Sequence, residues 1–301
     1  MTLSPKIHID LGENEFKVIG PQLNSAELVE LKIRYRGDDG PARFTFRDEH
    51  INAHIDNITD AEERGLTTIG NHKIKIRQIE HVLSALVGMS CLSSDLELSY
   101  LNKEITDKII SPPVCHINTE EYVLGIKRSF RKKECDYIEI GHPIIIKEDN
   151  PADTKDASFA IFTPLKSLHV TVSINFPHFW GRQKFSCNLS KYGVYEQQIA
   201  WARSFFATPY PHKQEWEKLK KKFPALINER IKHAQSIMID YTQDKWITTL
   251  YSEDEPVRHK LLDFLGDLAL IGFPLHAGIF VYKPHHKFNR QCIRTVVDAL
   301  K

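Results

Sequence analysis

One stretch limits the fold more than any other. Residues Val257 to Asp267 read as a helix, and His259, Asp263 and Asp267 fall at i, i+4 and i+8, so they share one stripe of it. Leu261, Leu262, Phe264, Leu265 and Leu268 supply apolar faces that bury such a helix. A His and a carboxylate one turn apart can hold one metal ion from a single rigid element. A third ligand then comes from elsewhere, and Ile79-Glu80-His81 is the candidate source.

Size and composition bound the rest. A chain of 301 residues with 42% hydrophobic and 26% charged residues is an ordinary globular protein of about two domains. A net charge of +1 gives no pull towards nucleic acid or a membrane surface. The five cysteines (Cys91, Cys115, Cys135, Cys187, Cys292) show no paired spacing, which fits a reducing cytoplasm better than a disulfide framework. Residues 1–10 lack the apolar core of a signal peptide, and no run approaches the ~20 apolar residues of a membrane-spanning helix.

Along the chain the pattern predicts strands at 17–19, 27–35 and 42–46, a turn at 37–40, a helix over 77–89 and a strand over 95–100. Pro112 and Pro113 are expected to break regular structure after Ile109. A helix over 120–130 leads to a polar linker at 131–136, where the domain boundary is placed, giving domains 1–133 and 134–301. The second half predicts strands at 137–140, 144–147, 157–163 and 168–174, and short helices at 196–204 and 215–223. A strand at 236–240, the helix of the opening stripe, a strand from Gly278, a turn at 284–286 and a final helix from Asn289 follow. Strands followed by helices in each half indicate an α+β fold, two sheets layered against helices, rather than a parallel βαβ series.

The chemistry converges on one constellation. Zinc catalysis needs three protein ligands and an open position, and His81, His259 and Asp263 form a His₂Asp set; iron(II) suits the same donors. Glu80, next to a ligand, is placed to take a proton from a metal-activated water. His286 suits a proton donor to a leaving amine, with Asp267 favouring its charged form. Lys260 or the Ser204 hydroxyl suits a developing oxyanion. Thr67, in the glycine-bounded stretch Gly65 to Gly70, is assigned with Phe205 and Lys260 to substrate binding. Phe205 and Phe206 suit the lining of an acyl pocket, with core packing the competing role for at least one of them. Trp180 and Trp201 read as core.

Arg77 to Leu86 and Val257 to Asp267 resemble the UDP-3-O-acyl-N-acetylglucosamine deacetylases, zinc amidases of lipid A biosynthesis. Ile174 to Arg182, Ala202-Arg203-Ser204-Phe205 and Tyr282-Lys283-Pro284-His285-His286 are similar to further segments of that family in the same order. The resemblance implies two α+β domains with the active site in the cleft between them. It implies His81, His259 and Asp263 as zinc ligands, Glu80 as general base, and His286 with Asp267 as general acid and partner. Lys260 and Ser204 match its oxyanion-side residues. The substrate would be a small molecule, a UDP-linked acylated amino sugar losing its N-acetyl group. The stretches 18–23, 104–112 and 228–234 depart from the family's loops. A paralogue acting on another N-acyl compound, and a catalytically silent binding module, are the alternatives. The presence of Glu80, His286 and Asp267 beyond the ligand set favours an enzyme.

Overall fold

The computed structural model describes residues 8–22, 27–38, 40–59, 65–102, 104–114, 118–131, 136–149, 151, 157–176, 180–207, 237–240, 245–246 and 248–301. The expected helix at 215–223, the departing stretch 228–234, most of the 131–136 linker and the side chain of Phe206 lie outside the described residues.

The first half contains β1 (His8–Leu11), β2 (Glu15–Pro21), β3 (Leu28–Tyr35), β4 (Arg43–Phe46), β5 (Glu49–Asn52), β6 (Thr68–Gly70), β7 (Lys75–Arg77), helix α1 (Glu80–Gly88), β8 (Ser94–Tyr100), β9 (Ile109–Ile110) and helix α2 (Glu120–Ser129). The second contains β10 (Ile138–Glu139), β11 (Ile144–Lys147), β12 (Phe159–Thr163), β13 (Leu168–Asn175), β14 (Arg182–Asn188), helix α3 (Val194–Gln198), β15 (Phe205–Ala207), β16 (Ile237–Asp240), β17 (Lys245–Trp246), helix α4 (Glu255–Leu268), β18 (Leu275–Tyr282) and helix α5 (His286–Ala299).

The architecture is α+β, and its connections repeat. The first large sheet has the order β1-β2-β3-β8-β4-β5, and the second β11-β12-β18-β13-β14. Three antiparallel pairs in the first sheet and two in the second are followed by one parallel pair (β8 with β4, β18 with β13) and a final antiparallel pair. Five strands of the first sheet (β1–β5) precede α1 and four of the second (β11–β14) precede α4, and in each case the central strand (β8 or β18) and a second helix (α2 or α5) come after. Helices α1 and α4 thus occupy equivalent places and pack directly on one another.

Alternation explains the sheets. In β3, Val29, Leu31, Ile33 and Tyr35 are buried while Glu30, Lys32 and Arg34 point away. One apolar cluster runs from Phe16, Leu31 and Phe44 through Leu83 and Leu86 of α1 to Leu261, Phe264 and Leu265 of α4 and Val170 and Val281 of the second sheet. Among the described residues no helix is long and apolar enough to cross a membrane.

Several boundaries differ from expectation. Helix α1 starts at Glu80, not Arg77, because Lys75–Arg77 pairs as a strand and Gln78 turns the chain at φ 56°. Ile109–Ile110 forms a short strand beside β7 before the prolines end it. Helix α3 spans Val194–Gln198 and stops short of Ser204. Helix α5 starts at His286, three residues early, because the His285 ring accepts the Phe288 N–H and caps it.

Candidate active site

Helix α4 starts after Asp254 with Pro256 in its first turn, a position that tolerates a missing N–H. Apolar residues bury it on most sides, which leaves its polar stripe as the exception that needs partners. Those partners come from α1, α5 and two loops.

His259 Nε2 lies 3.3 Å from Asp263 Oδ1, and His81 Nε2, from the first turn of α1, lies 3.6 Å from the same oxygen. The two imidazoles stand edge to face at 5.2 Å. One donor atom from each of the three residues falls within 4.8 Å of the others. His259 Nδ1 bonds the Ala202 carbonyl at 3.0 Å, which turns Nε2 towards Asp263. A histidine anchored through one nitrogen with the other facing a carboxylate is the arrangement of a ligating histidine. This His₂Asp set suits a divalent transition metal. Lys260 Nζ lies 2.8 Å from Asp263 Oδ2. Burial opposes the Asp263 anion, but Lys260 and His259 outweigh it and hold its carboxyl well below the usual range.

Two further groups flank the cluster. Glu80 is buried, and its Oε2 accepts the Thr67 N–H at 3.0 Å. Burial, reinforced by Asp263 and Asp267 and opposed by His286, pushes its carboxyl up to about 7. His286 Nδ1 sits 2.8 Å from Asp267 Oδ2, and its Nε2 faces Asp263 Oδ2 at 4.0 Å. Burial disfavours the His286 cation, but the charge and hydrogen bond of Asp267, with Glu80 and Asp263, lift it to about 9. Gln78 and Lys283 hold positive φ without being glycine, each shortly before one of these groups. Strained backbone of this kind concentrates at functional sites.

A base poised near neutrality, a histidine held protonated and a His₂Asp donor cluster form the toolkit of metal-assisted amide hydrolysis. The family model for UDP-3-O-acyl N-acetylglycosamine deacetylase matches residues 13–298. The chain belongs to this family. It is similar to the UDP-3-O-acyl-N-acetylglucosamine deacetylase of Syntrophus aciditrophicus, at 28% identity over 92% of this chain and 82% of that protein. Proteins of the same name from Teredinibacter turnerae and Aquifex aeolicus are 27% and 26% identical, over 95% and 94% of this chain and 88% and 90% of theirs.

The remaining expected site residues of this deacetylase-family chain fall as follows. Phe205 stands with its ring 6.3 Å from that of His259 and 5.1 Å from Trp180, and Lys260 Nζ is 5.4 Å from its centre. Trp180 is buried and stacks on Phe176 at 4.2 Å. Ser204 follows the Ala202 carbonyl by two residues, and its own carbonyl accepts the Ile237 N–H. Thr67, expected at the substrate, is completely buried, because its hydroxyl turns inward to Asp267 Oδ1 at 2.5 Å.

Three supporting residues escaped the sequence reading. Asn289 Nδ2 donates to Asp267 Oδ2 at 2.8 Å, and Arg290 Nη1 reaches the Leu66 carbonyl at 3.2 Å. Their spacing of three and four from His286 puts them on its helix face, a usable signal once α5 is known to start there. Glu255 grips Arg203 through both oxygens, at 2.8 and 3.0 Å, and pins the loop that carries Ala202.

Proposed function

We propose that the protein is a zinc-dependent deacetylase that removes the N-acetyl group of UDP-3-O-acyl-N-acetylglucosamine or a close analogue, in a cleft between halves 1–133 and 134–301. The observation that carries this is the adjacency of the His81–His259–Asp263 donor set to a carboxyl brought near neutrality and an imidazole held protonated by Asp267. The relatives' names supply the substrate.

His81 Nε2, His259 Nε2 and Asp263 Oδ1 would hold the ion. Zinc there supplies Lewis acidity and lowers the pKa of water towards ~7. Glu80 Oε2 is occupied by the Thr67 N–H, so Oε1 takes up the proton removed from water. A group at about 7 can accept that proton and release it again near neutral pH. His286 Nδ1 is tied to Asp267, so Nε2 delivers a proton to the leaving amine. Lys260 Nζ, beside Asp263, offers positive charge to the developing oxyanion, and Ser204 supplies a hydroxyl on the same loop as Ala202. Phe205 contributes an apolar wall beside His259. A nucleotide-linked substrate and the free Cys91, Cys187 and Cys292 fit a cytoplasmic reaction.

The test is acetate release from UDP-3-O-acyl-N-acetylglucosamine by zinc-loaded protein, with Glu80→Ala as control. Release that collapses in the variant is expected. No release from protein holding one equivalent of zinc would overturn the assignment.

A further inference from the structure

We propose that Thr67 is a positioning residue that holds the site's base and its acid pair in register from behind, and makes no contact with substrate. The inference rests on the deacetylase reading above and assigns Thr67 a part in it that no motif suggests.

Thr67 sits just before β6, at the back of the site, and uses its backbone and side chain in different directions. Its N–H donates to Glu80 Oε2 at 3.0 Å. Its hydroxyl donates to Asp267 Oδ1 at 2.5 Å, and the same oxygen lies 3.3 Å from His286 Nδ1. Glu80 belongs to α1, Asp267 to α4 and His286 to α5. One residue therefore touches the proposed base, the proposed acid and the acid's partner, which three separate helices deliver. Arg290 braces the arrangement, with Nη1 3.4 Å from the Thr67 hydroxyl oxygen and 3.2 Å from the Leu66 carbonyl.

The bonding at Asp267 explains why a hydroxyl is needed. Asp267 Oδ2 already accepts from His286 Nδ1 and from Asn289 Nδ2, both at 2.8 Å. Oδ1 receives the Thr67 hydroxyl. Asp267 and Thr67 are both fully buried, so no bulk water replaces a missing donor. Without the hydroxyl, the carboxylate gains by rotating Oδ1 towards other donors, and that rotation carries Oδ2 and the His286 ring with it. A threonine also keeps few side-chain rotamers, so its hydroxyl direction is set by the backbone that orients Glu80. The base and the acid are thereby fixed relative to one another rather than each to its own helix. A catalytic group displaced by ~1 Å costs about 10²-fold in rate.

Complete burial separates this role from substrate binding. A side chain that contacts substrate changes KM when cut back, whereas one that aligns catalytic groups changes kcat. Thr67→Val removes the hydroxyl and keeps the shape and the N–H. Thr67→Ser keeps the hydroxyl.

The experiment measures kcat and KM for acetate release by the zinc-loaded variants, zinc content, and, on metal-free protein, the downfield proton resonance of His286 Nδ1–H. Thr67→Val is expected to lower kcat by about 10- to 100-fold with KM within about threefold and zinc content unchanged. The His286 resonance should shift in Thr67→Val and return in Thr67→Ser, with kcat recovering alongside it. Thr67→Ala removes the same hydroxyl without adding a methyl group, and serves if Thr67→Val does not fold. An unchanged kcat with an unmoved resonance, or a rise in KM alone, overturns the proposal. Wild-type protein that releases no acetate would sink the deacetylase reading, while the resonance would still decide the place of Thr67.

Discussion

Gly266 of α4 lies against the backbone of Glu80 at the start of α1: a β-carbon at position 266 would stand 2.0 Å from the Glu80 carbonyl oxygen. That approach is the crossing point of the two equivalent helices, and it brings His81 to His259 and Asp263. Gly266→Ala gains about 1 kcal/mol of helix propensity but must push rigid backbone aside, at a cost of about 1–3 kcal/mol or more. The expected net result is a destabilised protein whose zinc affinity falls together with its stability. Denaturant unfolding and chelator competition on the same preparation check this; a variant that binds zinc like the parent would mean that the crossing does not set the ligand geometry.

Glu80 is kept at a cost to stability. A carboxyl whose folded pKa lies above its unfolded value of 4.5 contributes stability that is complete below that value and is lost as pH rises through about 7. On metal-free protein at about pH 8, Glu80→Gln should therefore be the more stable form, by about 3 kcal/mol, with the gain shrinking towards pH 4.5. The same substitution should lower kcat by about 10²–10⁴-fold. Equal stability of the two proteins across this range would show that Glu80 is better solvated than its burial implies.

Chelation should destabilise the folded chain by mass action. An ion present at a hundredfold excess over its Kd contributes about 2.7 kcal/mol, which disappears on removal. Asp263→Asn keeps the shape and loses the anionic donor between the two histidines, so zinc should no longer raise its Tm. Calorimetry with and without added zinc reads both. A zinc-dependent rise that persists in Asp263→Asn would place the ion elsewhere.

How far the site was legible follows from how local its causes are. The stripe His259–Asp263–Asp267 was readable because helical spacing alone puts those residues together, and the apolar residues around it fix the helix. The starts of α1 and α5 were not: one depends on a non-glycine residue, Gln78, held at positive φ, the other on an imidazole cap from His285. Short strands such as β1 and β5 gain their order from neighbours in the sheet rather than from their own four residues. The buried contacts of Thr67 could not be read, since its hydroxyl partners lie 200 and 219 residues away. Gly266 carried an unused clue, because a glycine inside a strong helix often marks a close approach.

The buried pair Arg203–Glu255 ties the loop of Ala202 to the first turn of α4, one turn before His259. Glu255 is fully buried and accepts from the Arg203 side chain, the Arg203 N–H and the Tyr251 N–H, while Arg203 Nη2 also donates to the Thr249 carbonyl. Glu255→Gln leaves the guanidinium buried beside a neutral amide, which should cost about 3–5 kcal/mol of stability. The effect should reach the metal as well. Ala202 is the neighbour of Arg203, and its carbonyl fixes which nitrogen of His259 faces Asp263. Loosening that anchor should weaken zinc binding by about 10- to 100-fold, the range for partners of ligating histidines. Arg203→Lys should do the same, since an ammonium cannot reproduce the two-pronged contact with Glu255. Chelator competition on folded variants measures the effect, and zinc affinity equal to the parent's would confine the pair to holding the loop in place.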